Sequence, residues 1–133
     1  MSAIKPIRLG MVGGGRGAFI GEVHRIASRL DNKYCFCAGA LSSDPKKSKL
    51  SGIELGLDED RSYGTYEEMI QGESMRDDRI EAVSIVTPNN MHFPIAKKFL
   101  EAGCHVICDK PMTISRDEAD QLINLASKQN LIL

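Results

Sequence analysis

The sequence has no surplus of positive charge, with 17 Lys and Arg against 18 Asp and Glu in 133 residues. The electrostatic attraction that holds nucleic acid or an anionic membrane therefore has no basis here, and neither partner is expected, although a single phosphate could still be held locally. Also missing is any apolar run near the roughly 20 residues that cross a bilayer. The start, Met1-Ser2-Ala3-Ile4-Lys5-Pro6, lacks the apolar stretch of a secretory signal, so a cytoplasmic protein is expected. Cysteine is scarce: Cys35, Cys37, Cys104 and Cys108 all sit in apolar segments, where a free thiol behaves as a small hydrophobe, and a disulfide framework is not expected in a reducing compartment. Internal repeats, low-complexity tracts and flexible linkers are absent. The length suits one domain with a proper core and is too short for two ordinary ones.

What is present is an alternation of short β-branched apolar runs with longer segments of helical period, the pattern of a parallel sheet covered on both faces. The expected fold is a doubly wound α/β domain. A first strand, Ile7 to Val12, runs into the glycine cluster Gly13-Gly14-Gly15-Arg16-Gly17, after which Ile20, Val23, Ile26, Ala27 and Leu30 recur at helical spacing. A second strand spans Tyr34 to Leu41. Asp44 then caps a helix with Pro45 at its first position, ending near Gly56. Ser62-Tyr63 reads as a short edge strand, and Thr65-Tyr66-Glu67-Glu68 as a capping box. Ala82 to Val86 carries no charge on either face, as a central strand should. Thr87-Pro88-Asn89-Asn90 breaks it, a helix follows from Pro94 to Ala102, and Gly103 stops that helix. His105 to Cys108 is the next strand. A second capping box, Ser115 to Glu118, opens a helix with Ala119, Leu122, Ile123 and Ala126 on its apolar face, and Asn130 to Leu133 begins a further apolar run. A strand that starts there without a closing turn predicts a domain, residues 1–133, cut off before a second one.

The glycine cluster lies where a strand meets a helix. In that context glycines permit a tight turn and close approach of backbone to pyrophosphate, and the free amides at the helix start point at the anion. Gly13-x-Gly15-x-x-Ala18 fits the G-x-G-x-x-G/A form, with Gly17 and Gly21 as further small positions and the glycine roles open. Phe19 and Ile20 begin the helix beside the phosphates. Arg16 either touches a phosphate or is a solvated loop residue. At the end of the second strand an acidic residue suits the ribose of NAD, whereas neutral and basic groups suit the 2′-phosphate of NADP. Ser42-Ser43 with Lys46-Lys47 leans toward NADP, and Asp44 favours NAD if it turns to the ribose instead of capping the helix.

The loop Thr87-Pro88-Asn89-Asn90-Met91-His92 and the tripeptide Asp109-Lys110-Pro111, following a glycine loop in that order, resemble the Gfo/Idh/MocA oxidoreductase family, across essentially the whole chain as its amino-terminal Rossmann domain. The resemblance implies an NAD(P)-dependent oxidoreductase that moves a hydride between nicotinamide and a hydroxyl-bearing carbon of a sugar, cyclitol or related polyol. Lys110 would match the family lysine that hydrogen-bonds the reacting oxygen and helps move its proton. Thr87, Pro88 and Asn89 would lie along the cofactor, Pro111 would shape the turn beneath the nicotinamide, and His92 would either meet the cofactor edge or cap the helix behind it. Two departures stand out: Asp109 replaces the usual Glu, and the glycine loop carries about three extra residues around Gly17-Ala18-Phe19. Family members bind substrate through a second α/β domain and often associate through its sheet, so a homo-oligomer is expected of the full-length protein and no turnover of the 133 residues alone. Two other classes compete: a non-catalytic nucleotide-sensing module, which has no need of Asp109-Lys110-Pro111, and a Rossmann methyltransferase, which has no obvious use for either loop.

His24 lies near the apolar stripe of the first helix and reads as packing. His105 between Cys104 and Cys108 suggests zinc, yet the two thiols would stand roughly 13 Å apart along one strand. No metal site is expected.

Overall fold

The computed structural model describes residues 3–133; Met1 and Ser2, the first two positions of the stretch searched for a secretory signal, lie outside the described residues. Four strands, β1 (Ile7–Gly13), β2 (Tyr34–Ala40), β3 (Ala82–Val86) and β4 (His105–Cys108), form one parallel sheet in the order β2-β1-β3-β4. Five helices accompany them: α1 (Phe19–Arg29), α2 (Pro45–Glu54), α3 (Tyr66–Ser74), α4 (His92–Glu101) and α5 (Arg116–Lys128). No helix of the described residues is long and apolar enough to cross a membrane.

Alternation along the strands divides the core in two. Val12, Ala38, Ala40, Val83, Ile85 and Val106 meet Met69 of α3, Ile95 and Phe99 of α4 and Leu122 of α5. Their neighbours Met11 and Val86 face the other way, with Leu41 and Leu57, toward Ile20 of α1 and Leu55. All five residues of β3 are buried, as its uncharged sequence requires.

The sheet is extended in outline at both edges. Ser62 pairs with Gly39 of β2 in a single parallel bridge, and the Tyr63 amide donates to the Gly39 carbonyl at 2.8 Å. The expected edge strand is thus reduced to one bridge. At the other edge the Val106 amide donates to the Ile132 carbonyl at 3.0 Å, so the final apolar run lies against β4. The expected start of α4 at Pro94 is corrected to His92, because a 3-10 turn over Asn89–Met91 leads into the helix two residues earlier.

The largest correction concerns α1. Beyond Ile20 its apolar stripe does not face the core: Val23 and Ile26 are 41% and 52% exposed and Leu30 68%, whereas the buried positions are Gly21, Arg25 and Ser28. The helix crosses so close to the first strand-to-helix loop that only a small residue or a bonded polar one fits between.

Candidate dinucleotide site

All four strands are parallel, so their carboxyl ends lie along one edge of the sheet. The chain leaves β1 toward β2 on one side and later returns to β3 on the other, and such a reversal opens the crevice in which open α/β sheets bind ligands. Four segments border it: residues 13–18 after β1, 41–44 after β2, 87–91 after β3 and 109–111 after β4.

The first segment is built for close approach. Gly13 and Gly14 hold φ of +81° and +76°, which side-chain-bearing residues rarely adopt. A Cβ on Gly15 would come within 2.5 Å of the Leu41 carbonyl, which accepts the Gly15 amide at 2.9 Å. Gly21 presses on Gly14 so closely that its Cβ would stand 2.3 Å from the Gly14 Cα. Gly21, and not Ala18, is therefore the small residue that lets the helix pack on the loop; the residues after Gly15 are extra length that moves the third small position along the chain. Ala18 instead closes the turn, its amide donating to the Gly15 carbonyl at 3.0 Å, and serves as the N-cap of α1 with no side-chain cap. The starts of α2, α3 and α5 are capped by Asp44, Thr65 and Ser115. α1 and α4 have no side-chain cap, and of the two it is α1 whose first amides follow directly on the glycine loop, where an anion would be held.

Arg25, which sequence reasoning passed over, locks this loop from behind. Its buried guanidinium donates to the Gly14 carbonyl at 2.6 Å, and burial draws it below the ordinary arginine value while Glu22 acts in the opposite direction. Arg16 turns elsewhere: its amide donates to Ser51 Oγ at 3.2 Å, and its exposed guanidinium lies 3.5 Å from Glu54 of α2. Phe19 is 79% exposed and Ile20 half-buried against the smaller core cluster. A cleft of about 340 Å³ between α1 and α2 is lined by Arg16, Glu22, Ser51 and Glu54, with no residue from the loops after β3 or β4. Gly15, Gly17 and Ala18 also line it, so it opens on the glycine-loop side of the crevice.

At the end of β2, Asp44 is a helix cap: its carboxylate accepts the Lys47 amide at 3.1 Å, and its own amide donates to Ser42 Oγ at 3.2 Å. Ser42 is half-buried and Ser43 exposed.

After β3, Thr87 Oγ1 is the one buried side-chain oxygen or nitrogen among the described residues without a hydrogen-bond partner. Pro88 and Asn89 are exposed at the loop tip. His92, expected at the cofactor edge or as a cap, does neither. Its ring is fully buried, with Nδ1 2.7 Å from the Pro111 carbonyl and Nε2 2.9 Å from the Thr87 carbonyl. The ring joins two loops because Pro111, 19 positions along the chain, folds back over the start of α4.

The last segment leaves β4 with the Asp109 amide donating to the Ile85 carbonyl at 3.0 Å. Lys110 is exposed and is followed by a cis bond to Pro111. The Asp109 carboxylate lies 3.7 Å from His24 Nε2, and His24 Nδ1 is 2.7 Å from Ser84 Oγ. Cys108 and Cys104 are held as thiols, burial raising them to about 11 and about 12. Among the described residues no group of three His, Cys, Asp or Glu could hold a metal ion.

A dinucleotide fits what these loops offer. Gly13, Gly14 and Gly15 leave the loop backbone bare because a Cβ there would strike neighbouring protein atoms, the start of α1 lacks a side-chain cap, and the orphaned Thr87 hydroxyl stands between the glycine loop and the turn carrying Lys110.

Comparison with known proteins agrees with this arrangement. Residues 7–133 match the model of a family described as the oxidoreductase family, NAD-binding Rossmann fold. An uncharacterized oxidoreductase, YfiI of Bacillus subtilis, is 44% identical over 130 residues, covering 97% of this chain and 33% of that protein. An inositol dehydrogenase homolog from Azotobacter vinelandii, complexed with NADH and myo-inositol, superposes with a TM-score of 0.94 at 42% identity over 96% of this chain and 34% of that one. An oxidoreductase from Sinorhizobium meliloti gives 0.89 at 54% identity, with 96% and 35% covered. The chain spans about a third of the length of these relatives.

Proposed function

Since this chain belongs to the Gfo/Idh/MocA oxidoreductase family, with its NAD-binding Rossmann fold, we propose that residues 1–133 are the cofactor-binding domain of a dehydrogenase acting on a sugar, cyclitol or related polyol. The observation that carries this reading is the meeting of three loops, Gly13 to Ala18, Thr87 to Asn89 and Asp109 to Pro111, at the carboxyl ends of β1, β3 and β4. Bound NAD(P) supplies the acceptor or donor of hydride. The α1 amides and the glycine backbone hold the pyrophosphate, and Ser42 and Ser43 face the adenosine ribose. Thr87, Pro88 and Asn89 line the path toward the nicotinamide. In the oxidation Lys110, as a neutral amine, takes the proton of the reacting hydroxyl; in the reduction, as an ammonium, it donates a hydrogen bond to the reacting oxygen and returns that proton. The remaining polyol-binding groups come from a second domain, in keeping with relatives three times as long, and that domain's sheet is where copies of the full protein associate. Four free thiols, three of them at least partly buried, suit a reducing cytoplasm.

The ribose end favours NADP. Asp44 is occupied as a helix cap, which leaves hydroxyls at Ser42 and Ser43 with Lys46 and Lys47 on the first turn of α2. NAD is the second reading, favoured by the similarity to a protein crystallised with NADH. Calorimetric titration with NADPH and NADH in parallel separates them, and suits a chain without tryptophan. Tighter NADPH binding is expected, with Ser42→Asp reversing the order by about tenfold, the worth of one charge-assisted contact. Binding of S-adenosylmethionine in place of either nucleotide would overturn the oxidoreductase reading of the crevice.

A further inference from the structure

Two histidines meet the turn that carries Lys110, one from each face of the sheet. On the α4 face, His92 places both ring nitrogens on backbone carbonyls, Pro111 at 2.7 Å and Thr87 at 2.9 Å. Carbonyl oxygens only accept, so the ring is the donor in either of these contacts. Such a ring is a cross-brace between the loop after β3 and the turn after β4. On the α1 face, Ser84, buried in the middle of β3, fixes His24 through a 2.7 Å bond to Nδ1 and aims Nε2 at the Asp109 carboxylate 3.7 Å away. Asp109 is one methylene shorter than the glutamate of the family pattern, and a ring on α1 reaches it. Lys110 stands between Asp109 and Pro111 with its own side chain exposed.

From this geometry we infer that His92 and His24 are positioning residues for Lys110: His92 ties the lysine turn to the Thr87 loop, and His24, oriented by Ser84, stands against Asp109 and limits its movement, so that the lysine amino group is aligned with the nicotinamide end of the crevice. The inference rests on the cofactor reading above. Neither histidine touches cofactor, because His92 is sealed from the crevice and His24 lies beneath the turn. Their removal should therefore act on the nicotinamide end alone. The adenosine end, held by the glycine loop and Ser42, should be indifferent.

Two measurements on the 133-residue chain test this. The first needs no ligand: couplings across the hydrogen bond should link a His92 ring nitrogen to the Pro111 or the Thr87 carbonyl carbon, and a ring coupled to neither would overturn the brace. The second compares NADH with ADP-ribose, which lacks the nicotinamide, as calorimetric ligands of wild type, His92→Asn and His24→Gln. Asparagine keeps at most one of the two bonds. We expect NADH affinity to fall about tenfold in His92→Asn and about threefold in His24→Gln, the scale of a lost bond between buried groups and of a lost contact between partly exposed ones respectively, with ADP-ribose affinity unchanged. Equal loss of both ligands would make the histidines mere supports of the fold, and unchanged NADH binding would deny them any role; either result overturns the inference. A wild type that binds neither ligand would sink the cofactor reading, and the inference with it, whereas non-selective variants of a wild type that binds NADH sink the inference alone.

Discussion

A methyl group on Gly21 would stand 2.3 Å from the Gly14 Cα and 2.6 Å from its carbonyl oxygen, distances that no side-chain adjustment relieves because both atoms are backbone. The same carbonyl accepts the buried Arg25 guanidinium at 2.6 Å, so lifting α1 to make room also draws that bond apart. Gly21→Ala should cost about 1–3 kcal/mol of stability, the usual range for a group forced into a filled space, as read from the midpoint of urea unfolding. Gly17 differs: it has nothing within 4 Å of its missing Cβ and is held to glycine only by its φ of +81°. A Gly21→Ala midpoint equal to wild type would mean that α1 does not rest on the loop. In the sequence both are simply further small positions after Gly15, and only the crossing of helix over loop tells them apart.

At the scale of elements, the sheet was legible and the helix faces less so. The strands follow from apolar runs that no other reading accommodates, and β3 and β4 fall where Ala82 to Val86 and His105 to Cys108 predict. The capping boxes at Thr65 and Ser115 set the starts of α3 and α5, each hydroxyl accepting the amide three residues on. The stripe of α1 misled, since periodicity reports which residues share a face and not whether that face meets the sheet or lies open. The loops of the site were legible as segments. The engagement of His92 was not, because its two acceptors come from Thr87 and Pro111, and nothing in local spacing brings those carbonyls together. The same holds for the link between α3 and the entry to β3. Glu73, buried near the end of α3, accepts from Arg61 at 2.6 Å and 3.2 Å, from the Tyr63 hydroxyl at 2.8 Å and from the Ile80 amide at 2.9 Å. Burial, then the bond to Glu73, pushes the Tyr63 phenol upward. Glu73→Gln removes the charge that Arg61 is buried against and should cost roughly 3–5 kcal/mol, again by urea unfolding. A loss below about 1 kcal/mol would show that Arg61 finds relief at Asp78, whose carboxylate lies 3.5 Å away on the surface.

Taken as a whole molecule, the domain keeps its larger core on the side of α3, α4 and α5, and three of its four thiols pack into or against that cluster. Cys104 is 6% exposed and burial holds it as a thiol up to about 12, against an ordinary 9.0; Cys37 and Cys108 are raised to about 11 by the same cause. The unfolded chain thus gives up these protons near pH 9, while the folded chain keeps them for a further two to three units of pH. The folded state binds more protons through that window, so stability falls as pH rises. The contribution of a neutral Cys104 is fully present below about pH 9 and is lost as the pH climbs toward about 12, amounting to about 4 kcal/mol over three units at 1.36 kcal/mol each. Urea unfolding of wild type between pH 8 and pH 11 should therefore show a progressive decline, and Cys104→Ala, although less stable at pH 8 by the packing it loses, should decline less steeply. Parallel slopes for the two proteins would mean that Cys104 ionises as easily in the fold as outside it, and that the joint between α4 and β4 admits water.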